Sequence, residues 1–371
     1  MARKFGKKKD ILIDPLAYNI GIAGLSGIGK TTLVKNVCEK LVGDDGYIML
    51  DIGKESGHSC LTGIISEQAP DWDTIDEICD DIVDNRTTDY KDLKVVVFDT
   101  LDEMFKLAED EVIARWNRQN SDKQATSINS VAGGFGRGLD MVIDLVLERI
   151  WSLKEVGLSF IVIVHTKAKD IEDPITGQTY QVITANMAQR YFNAIKTKLD
   201  ILGVAYIDRT IVTEKLGRKD IKGKEITRNK VADEARKVSF RADDYNLDCK
   251  CRFPSIVSEI DLDADAFIDA ITDAIKAEQA KSGVSFEKAK ETQEKAEAEN
   301  LKKVAEKEEK NREEKALNER LEKIKKFIKD NKSDLDKVRP LAAKAKELGF
   351  DNPTKVTTIE AADAIIELID D

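Results

Sequence analysis

Long apolar runs are missing from this chain. Although 42% of its 371 residues are hydrophobic, no stretch approaches the ~18–20 consecutive apolar residues that a membrane-spanning helix needs. The start carries Arg3, Lys4, Lys7, Lys8 and Lys9 where a secretory leader needs an apolar segment. A membrane protein is excluded on this reading and a soluble, cytoplasmic one expected. Cysteines number only five (Cys38, Cys60, Cys79, Cys249, Cys251), an odd count without framework spacing, and His58 and His165 are the only histidines. That poverty excludes a disulfide scaffold and a structural zinc site. An excess of positive charge is also absent. The net charge of −11 excludes a wholly basic nucleic-acid binder but leaves room for a local positive site.

What is present begins with Gly24-Leu25-Ser26-Gly27-Ile28-Gly29-Lys30-Thr31-Thr32, the G-x-x-x-x-G-K-T pattern of a phosphate-binding P-loop. The apolar stretch Tyr18-Asn19-Ile20-Gly21-Ile22-Ala23 leads in, and Leu33, Val34, Val37 and Leu41 follow at helical spacing, the strand-then-helix context the motif requires. Such a loop turns successive backbone N–H groups toward one point before a helix N-terminus, which suits a polyphosphate. Lys30 is placed to reach the β- and γ-phosphates of ATP, and the Thr31 hydroxyl to bind Mg²⁺.

Residues 15–276 alternate apolar runs with amphipathic helices, which predicts an α/β domain with a mostly parallel sheet. Gly46-Tyr47-Ile48-Met49-Leu50-Asp51 reads as a second strand, and Val95-Val96-Val97-Phe98-Asp99 as one buried on both faces. Leu139, Val142, Ile143, Val146, Leu147, Ile150 and Trp151 mark the clearest amphipathic helix, leading into the strand Phe160-Ile161-Val162-Ile163-Val164-His165. A segment over 199–207 and short strands near Ile211-Val212 and Val238-Ser239-Phe240 follow. Residues 1–14 form a basic tail. Residues 277–330, rich in Glu, Lys and Ala without proline, predict a charged helical spacer, with Leu317, Leu321, Ile324 and Ile328 offering a short coiled-coil seam at its end. Residues 331–371 predict a small unit of two helices, one capped by Ser333 and one opened by Thr358.

A nucleoside triphosphatase needs a carboxylate at a neighbouring strand end to hold Mg²⁺, and Asp99 fits. Hydrolysis also needs a carboxylate to activate water. In the AAA+ pattern a glutamate directly follows the strand-end aspartate, but here Thr100 follows. Glu55, just beyond the second strand, is the expected base, with Glu103 in reserve. His165 ends its strand at the same edge, where a polar side chain can sense the γ-phosphate.

These residues in this order resemble the RecA-like recombinase core, and within it the phage-encoded RecA-like P-loop ATPases of the single-strand annealing and recombination type, AAA-like nucleotide-binding proteins. The resemblance covers roughly residues 15–265. It rests on Glu55 and Asp99 at their distances from Lys30 and on Val164-His165-Thr166-Lys167; the sensing residue of RecA itself is usually glutamine, so histidine is a departure. The resemblance implies a homo-oligomer with ATP between subunits, single-stranded DNA as a partner, a single-strand-binding or replication protein as another, and the host cytoplasm as location. It assigns DNA contact to Gly133-Gly134-Phe135-Gly136-Arg137-Gly138 and to residues 166–190, which hold Lys167, Lys169, Tyr180 and Arg190. It also makes Lys250 and Arg252, with Arg241, cations that act on a neighbour's γ-phosphate. Two other readings stand beside it: a nucleotide-gated adaptor or loader acting on a replication protein, and a P-loop kinase for a small molecule, for which no arginine-rich lid is visible.

Overall fold

The apolar runs lie side by side in one sheet. In the computed structural model, residues 11–54, 57–173, 175–219, 225–241, 247–281, 284–332 and 334–370 are described, with backbone alone at 215–219, 225–229, 335, 336 and 370. Contacts divide the chain into two units, 1–83 with 90–299 and 84–89 with 300–371.

The first unit runs β1 (Ile20–Gly24), α1 (Lys30–Val42), β2 (Tyr47–Ile52), β3 (Ser66–Ala69), α2 (Trp72–Asp84), β4 (Val95–Asp99), α3 (Leu101–Gln119), α4 (Arg137–Glu155), β5 (Ser159–Glu172), β6 (Thr179–Ala185), α5 (Gln189–Lys196), β7 (Ile201–Lys219), β8 (Glu225–Ser239), β9 (Lys250–Cys251), β10 (Glu259–Asp261) and α6 (Ala264–Ala280). The sheet order is β3-β2-β4-β5-β1-β7-β8-β10. Strands from β3 through β7 pair in parallel; β8 and β10 are antiparallel additions. The sheet thus inserts β5 between the P-loop strand β1 and the Asp99 strand β4. This is an α/β fold with a mostly parallel sheet around a P-loop, as the sequence predicted.

Central strands are apolar on both faces because helices cover both. On one face α1 and α6 bury Leu33, Val37, Phe267 and Ile271 against Ile22, Met49, Val97 and Ile163. The alternate strand residues meet α3 and α4, where Trp151 packs on Phe160 with ring centroids 5.7 Å apart. Val95, Val96, Val97 and Phe98 are all 0% exposed. At roughly 1.5–3 kcal/mol for each such side chain, this strand fixes the position of Asp99 at its end.

Three segments differ from the sequence reading. β5 continues past His165 and folds back through β6 as a hairpin. The short strands expected near Ile211 and Val238 belong to one long β7–β8 hairpin. Ile13 and Leu16 join the core, so the chain is already packed before residue 15; residues 1–10 of the basic tail lie outside the described residues.

The charged segment is helical as α7 (Phe286–Asp330), followed by α8 (Leu335–Glu347) and α9 (Ile359–Asp370). In the second unit, Ile324 is fully buried with Leu341, Ala345, Val356, Ala362 and Ile365, and Leu317, Leu321 and Ile328 pack on that cluster. The apolar seam therefore closes on α8 and α9, making a three-helix core where two helices were expected. Glu308 is buried and accepts from the Thr87 amide at 2.9 Å. Ser333 lies outside the described residues, and Asp334 occupies the N-cap of α8. Thr358 opens α9, its hydroxyl accepting from the Ala361 amide at 3.3 Å.

Candidate functional site

The P-loop connects β1 to α1 at the carboxyl edge of the sheet. A Cβ at Gly24 would sit 3.0 Å from the Ala205 carbonyl oxygen, so only glycine lets β7 approach this closely. Gly29 caps α1 with φ 113°, a left-handed backbone that glycine adopts without strain. Lys30 is 5% exposed, and its ammonium donates to the Gly24 and Leu25 carbonyls, both at 3.0 Å. A buried charge needs such partners, and a phosphate arriving at the loop can take their place. One residue on, the Thr31 hydroxyl donates to Asp99 Oδ2 at 2.7 Å.

Asp99 stands in register with Asp51 at the end of β2, and both are buried. His58, in the short 3-10 turn Gly57–Cys60 after β2, places Nε2 3.1 Å from Asp99 Oδ2. An ionised carboxylate only accepts, so that nitrogen carries the hydrogen; the opposite ring nitrogen is buried with no hydrogen-bond partner among the described residues. The Asp99–Thr100 peptide is cis. Ser26, Gly27, Gly29, Lys30, Thr31 and Thr32 face Asp51, His58, Asp99 and His165 across a cleft of about 220 Å³.

His165 is held from behind. Asp102, in the first turn of α3, accepts from the His165 backbone N–H and from its Nδ1, each at 3.1 Å. Burial by itself pushes the Asp102 carboxyl up, but the His165 ring and amide, with Thr100, outweigh it and hold the group below the ordinary carboxylate range. Asp102 therefore stays ionised and fixes the His165 tautomer with hydrogen on Nδ1.

The donors here suit Mg²⁺, a hard cation that takes oxygen ligands and is usually bound through one or two carboxylates plus substrate phosphates. Thr31 Oγ1 and Asp99 Oδ2 already converge at 2.7 Å in front of the loop, with Asp51 alongside.

The structure brings Lys30, Thr31, Asp99 and His165 to one cleft. Glu55 lies outside the described residues. Glu103 lines up behind Gly53 and pairs with Lys106. Lys250 and Arg252 are not brought to the cleft of their own chain. β9 runs antiparallel to the start of β7, with Cys251 opposite Ile201, and Ile201 is opposite Ile20, at the amino edge. There Lys250 donates to the Lys196, Thr197 and Leu199 carbonyls at 2.8, 3.2 and 2.7 Å, and Arg252 to Thr197 at 3.1 Å. Both cations serve the end of α5. Burial lowers the Lys250 pKa, with Arg252 adding to it. Arg241 donates to the Phe253 carbonyl.

The two loop segments do meet. Arg190 lies against Gly136 and pairs with Asp140. Residues 132–136 all have positive φ, between 53° and 83°, and raise Phe135 to 100% exposure. Lys167 and Lys169 are exposed on the β5–β6 hairpin, while Pro174 at its tip is outside the described residues. Sequence reasoning missed Asp51, His58 and Asp102. Asp51 was legible as a polar strand end beside Asp99; the other two act across long sequence separations and left no local signal.

A family model described as AAA domain matches residues 16–233. No curated protein matches the chain. Among solved structures, a KaiC-like protein from the hyperthermophilic archaeon Pyrococcus horikoshii OT3 aligns over 60% of this chain and 85% of that one, at 10% identity and a TM-score of 0.30, a likeness too low to carry an argument. No described helix is long and apolar enough to cross a membrane.

Proposed function

The chain belongs to the AAA domain family, and from that premise we propose that it is an oligomeric RecA-like ATPase whose nucleotide state is coupled to single-stranded DNA in recombination or strand annealing. The observation that carries the hydrolytic part is the Thr31–Asp99 contact at 2.7 Å in front of Lys30, with His165 fixed by Asp102 at the same edge.

Lys30 leaves its two carbonyl partners and binds the β- and γ-phosphate oxygens, and the loop amides orient them. Thr31 and Asp99 would hold Mg²⁺, which would supply charge neutralisation at the phosphates. Glu55, three positions past the end of β2 in sequence, accepts a proton from water as the water oxygen attacks the γ-phosphorus; ADP leaves with the bridging electron pair. His165 registers the loss of the γ-phosphate and passes it to the β5–β6 hairpin that begins at the next residue.

Exposed Phe135 with Arg137, Lys167, Lys169 and Tyr180 offers an aromatic and cations, the means by which proteins hold single strands with little sequence preference. Phosphate release from Mg-ATP, measured with and without single-stranded DNA, tests the reading. Stimulation is expected, together with binding that weakens as salt rises. A flat rate and no binding at low salt would remove the DNA-coupled part; transfer of phosphate to a nucleotide acceptor would make the protein a kinase.

The separate core of the second unit favours a second reading, a nucleotide-gated adaptor. Slow, DNA-indifferent hydrolysis with nucleotide-dependent binding of a purified single-strand-binding or replication protein would favour that reading.

A further inference from the structure

The β7–β8 hairpin is far longer than the sheet needs. β7 pairs with β1 only from Ile201 to Ala205, and β8 with β10 only from Lys237 to Ser239. Beyond these points, among the described residues, no third strand joins the pair, and the ribbon continues to Lys219 and Glu225. Fourteen residues past Ala205 at about 3.3 Å each make an arm of roughly 45 Å. It leaves the carboxyl edge, the edge that carries the P-loop.

Such a ribbon is marginal in water by itself. Ile211 and Val231 are register partners and therefore share a face, yet they are 62% and 47% exposed, and Val212 is 49% exposed. The register shifts between Thr210 and Ile211, the kind of irregularity that twists an edge away from another strand. Near the root the charges are matched: Arg209 pairs with Glu234 at 3.0 Å, and Lys237 with Asp208 at 3.0 Å and with Glu259 at 2.7 Å. Farther out the balance changes. Residues 214–219 and 225–230 carry Lys215, Arg218, Lys219, Arg228 and Lys230 against Glu214 and Glu225, a net +3 on a chain of net −11. No phenylalanine, tyrosine or tryptophan occurs from 208 to 236.

We infer that the β7–β8 ribbon is a nucleic-acid-binding arm that lies along duplex DNA, a site separate from the loops at 133–138 and 166–190. Its local positive charge, set on an acidic protein, fits a polyphosphate. The missing aromatics argue against single strands, which are held largely by stacking on rings. A two-stranded ribbon is of a size that the major groove, about 12 Å wide, admits. At its root Arg236 donates to the Ile28 carbonyl of the P-loop at 3.1 Å, so a load on the arm bears directly on the nucleotide loop.

The test uses the full chain, a labelled mixed-sequence duplex and the matching single strand, with binding followed by anisotropy across a salt series. Lys215→Ala, Arg218→Ala and Lys219→Ala together should weaken duplex binding by about tenfold or more and flatten the log–log salt slope by about three. Single-strand binding should fall less, and Mg-ATP binding should persist as the check on folding. Lys230→Ala alone, outside the altered strand, should flatten the slope by about one. Unchanged duplex affinity and slope in both variants would overturn the inference. So would an equal loss on both strands, or a loss of oligomer mass by light scattering with duplex binding intact, which would seat the arm on another copy. Single-strand stimulation of wild-type hydrolysis tests the preceding reading and is decided independently.

Discussion

Replacing Asp102 by asparagine removes one buried charge while keeping the shape of the side chain. The carboxylate is 4% exposed and accepts two bonds from His165, one from the backbone N–H and one from Nδ1, at 3.1 Å each. Asparagine can keep the backbone bond through its oxygen, but its amide hydrogens then face Nδ1, which must give up its own hydrogen to accept. A hydrogen bond to a charged group contributes about 1.5–3 kcal/mol, so Asp102→Asn should cost about that much. Denaturant unfolding should show it as a lower midpoint at unchanged slope. The pH dependence supplies a second check. The folded pKa of Asp102 lies below the ordinary aspartate value of 3.8. The associated stability is therefore fully present above the unfolded pKa and lost as pH falls through the lower folded value. The gap between wild type and Asp102→Asn should stay constant near neutrality and close below about pH 4. Turnover should fall while nucleotide affinity is retained, because the change touches the orientation of His165 and leaves the P-loop alone. Equal midpoints at pH 7, or a gap that does not shrink in acid, would refute the argument.

Lys30→Ala should weaken ATP binding roughly ten- to a hundredfold, from charged hydrogen bonds of about 1.5–3 kcal/mol, measured by calorimetry. Lys250→Ala should lower thermal stability by about 1–3 kcal/mol, since it leaves the Lys196, Thr197 and Leu199 carbonyls short of a donor. Lost turnover at unchanged stability would instead mark Lys250 as a cation acting on a neighbour's nucleotide. Burial lifts the Cys38 and Cys79 thiols to about 12, so at about pH 8 a thiol reagent should modify exposed Cys60 and spare these two until the chain unfolds. Both folded pKa values are raised, so their contribution is present below the unfolded value, about 8.5, and lost as pH rises toward about 12. Cys79→Ala should therefore flatten the alkaline limb of a stability–pH curve.

Which parts of the site could be read in advance follows from strand direction. In a parallel sheet each strand that feeds a helix ends at the same edge, so a polar residue closing an apolar run belongs beside the P-loop. That rule seats Asp99 and His165, and it would have seated Asp51, which lies one residue before the end of β2 in register with Asp99. The P-loop needs only local sequence, because its glycines answer to backbone angle and close approach within a few residues. Contacts made by loops follow no such rule. His58 reaches Asp99 only because the turn after β2 folds back over β4, and Asp102 meets His165 across 63 positions. The long hairpin was obscured because its described apolar side chains beyond the root are not buried: with Ile211, Val212 and Val231 exposed and charged residues between them in the sequence, no apolar period marks it. The seam from Leu317 to Ile328 was visible, but a stripe of that kind does not say whether it faces a second copy or its own chain, and α8 and α9 cover it. Lys250 and Arg252 show the strand-direction rule in reverse. Their alternation does put them on a short strand, yet β9 runs antiparallel to β7. A residue near the carboxyl end of a sequence run then lies at the amino edge of the sheet, where the carbonyls at the end of α5 and the Asp200 carboxylate, 3.3 Å from Arg252, are the negative groups within reach.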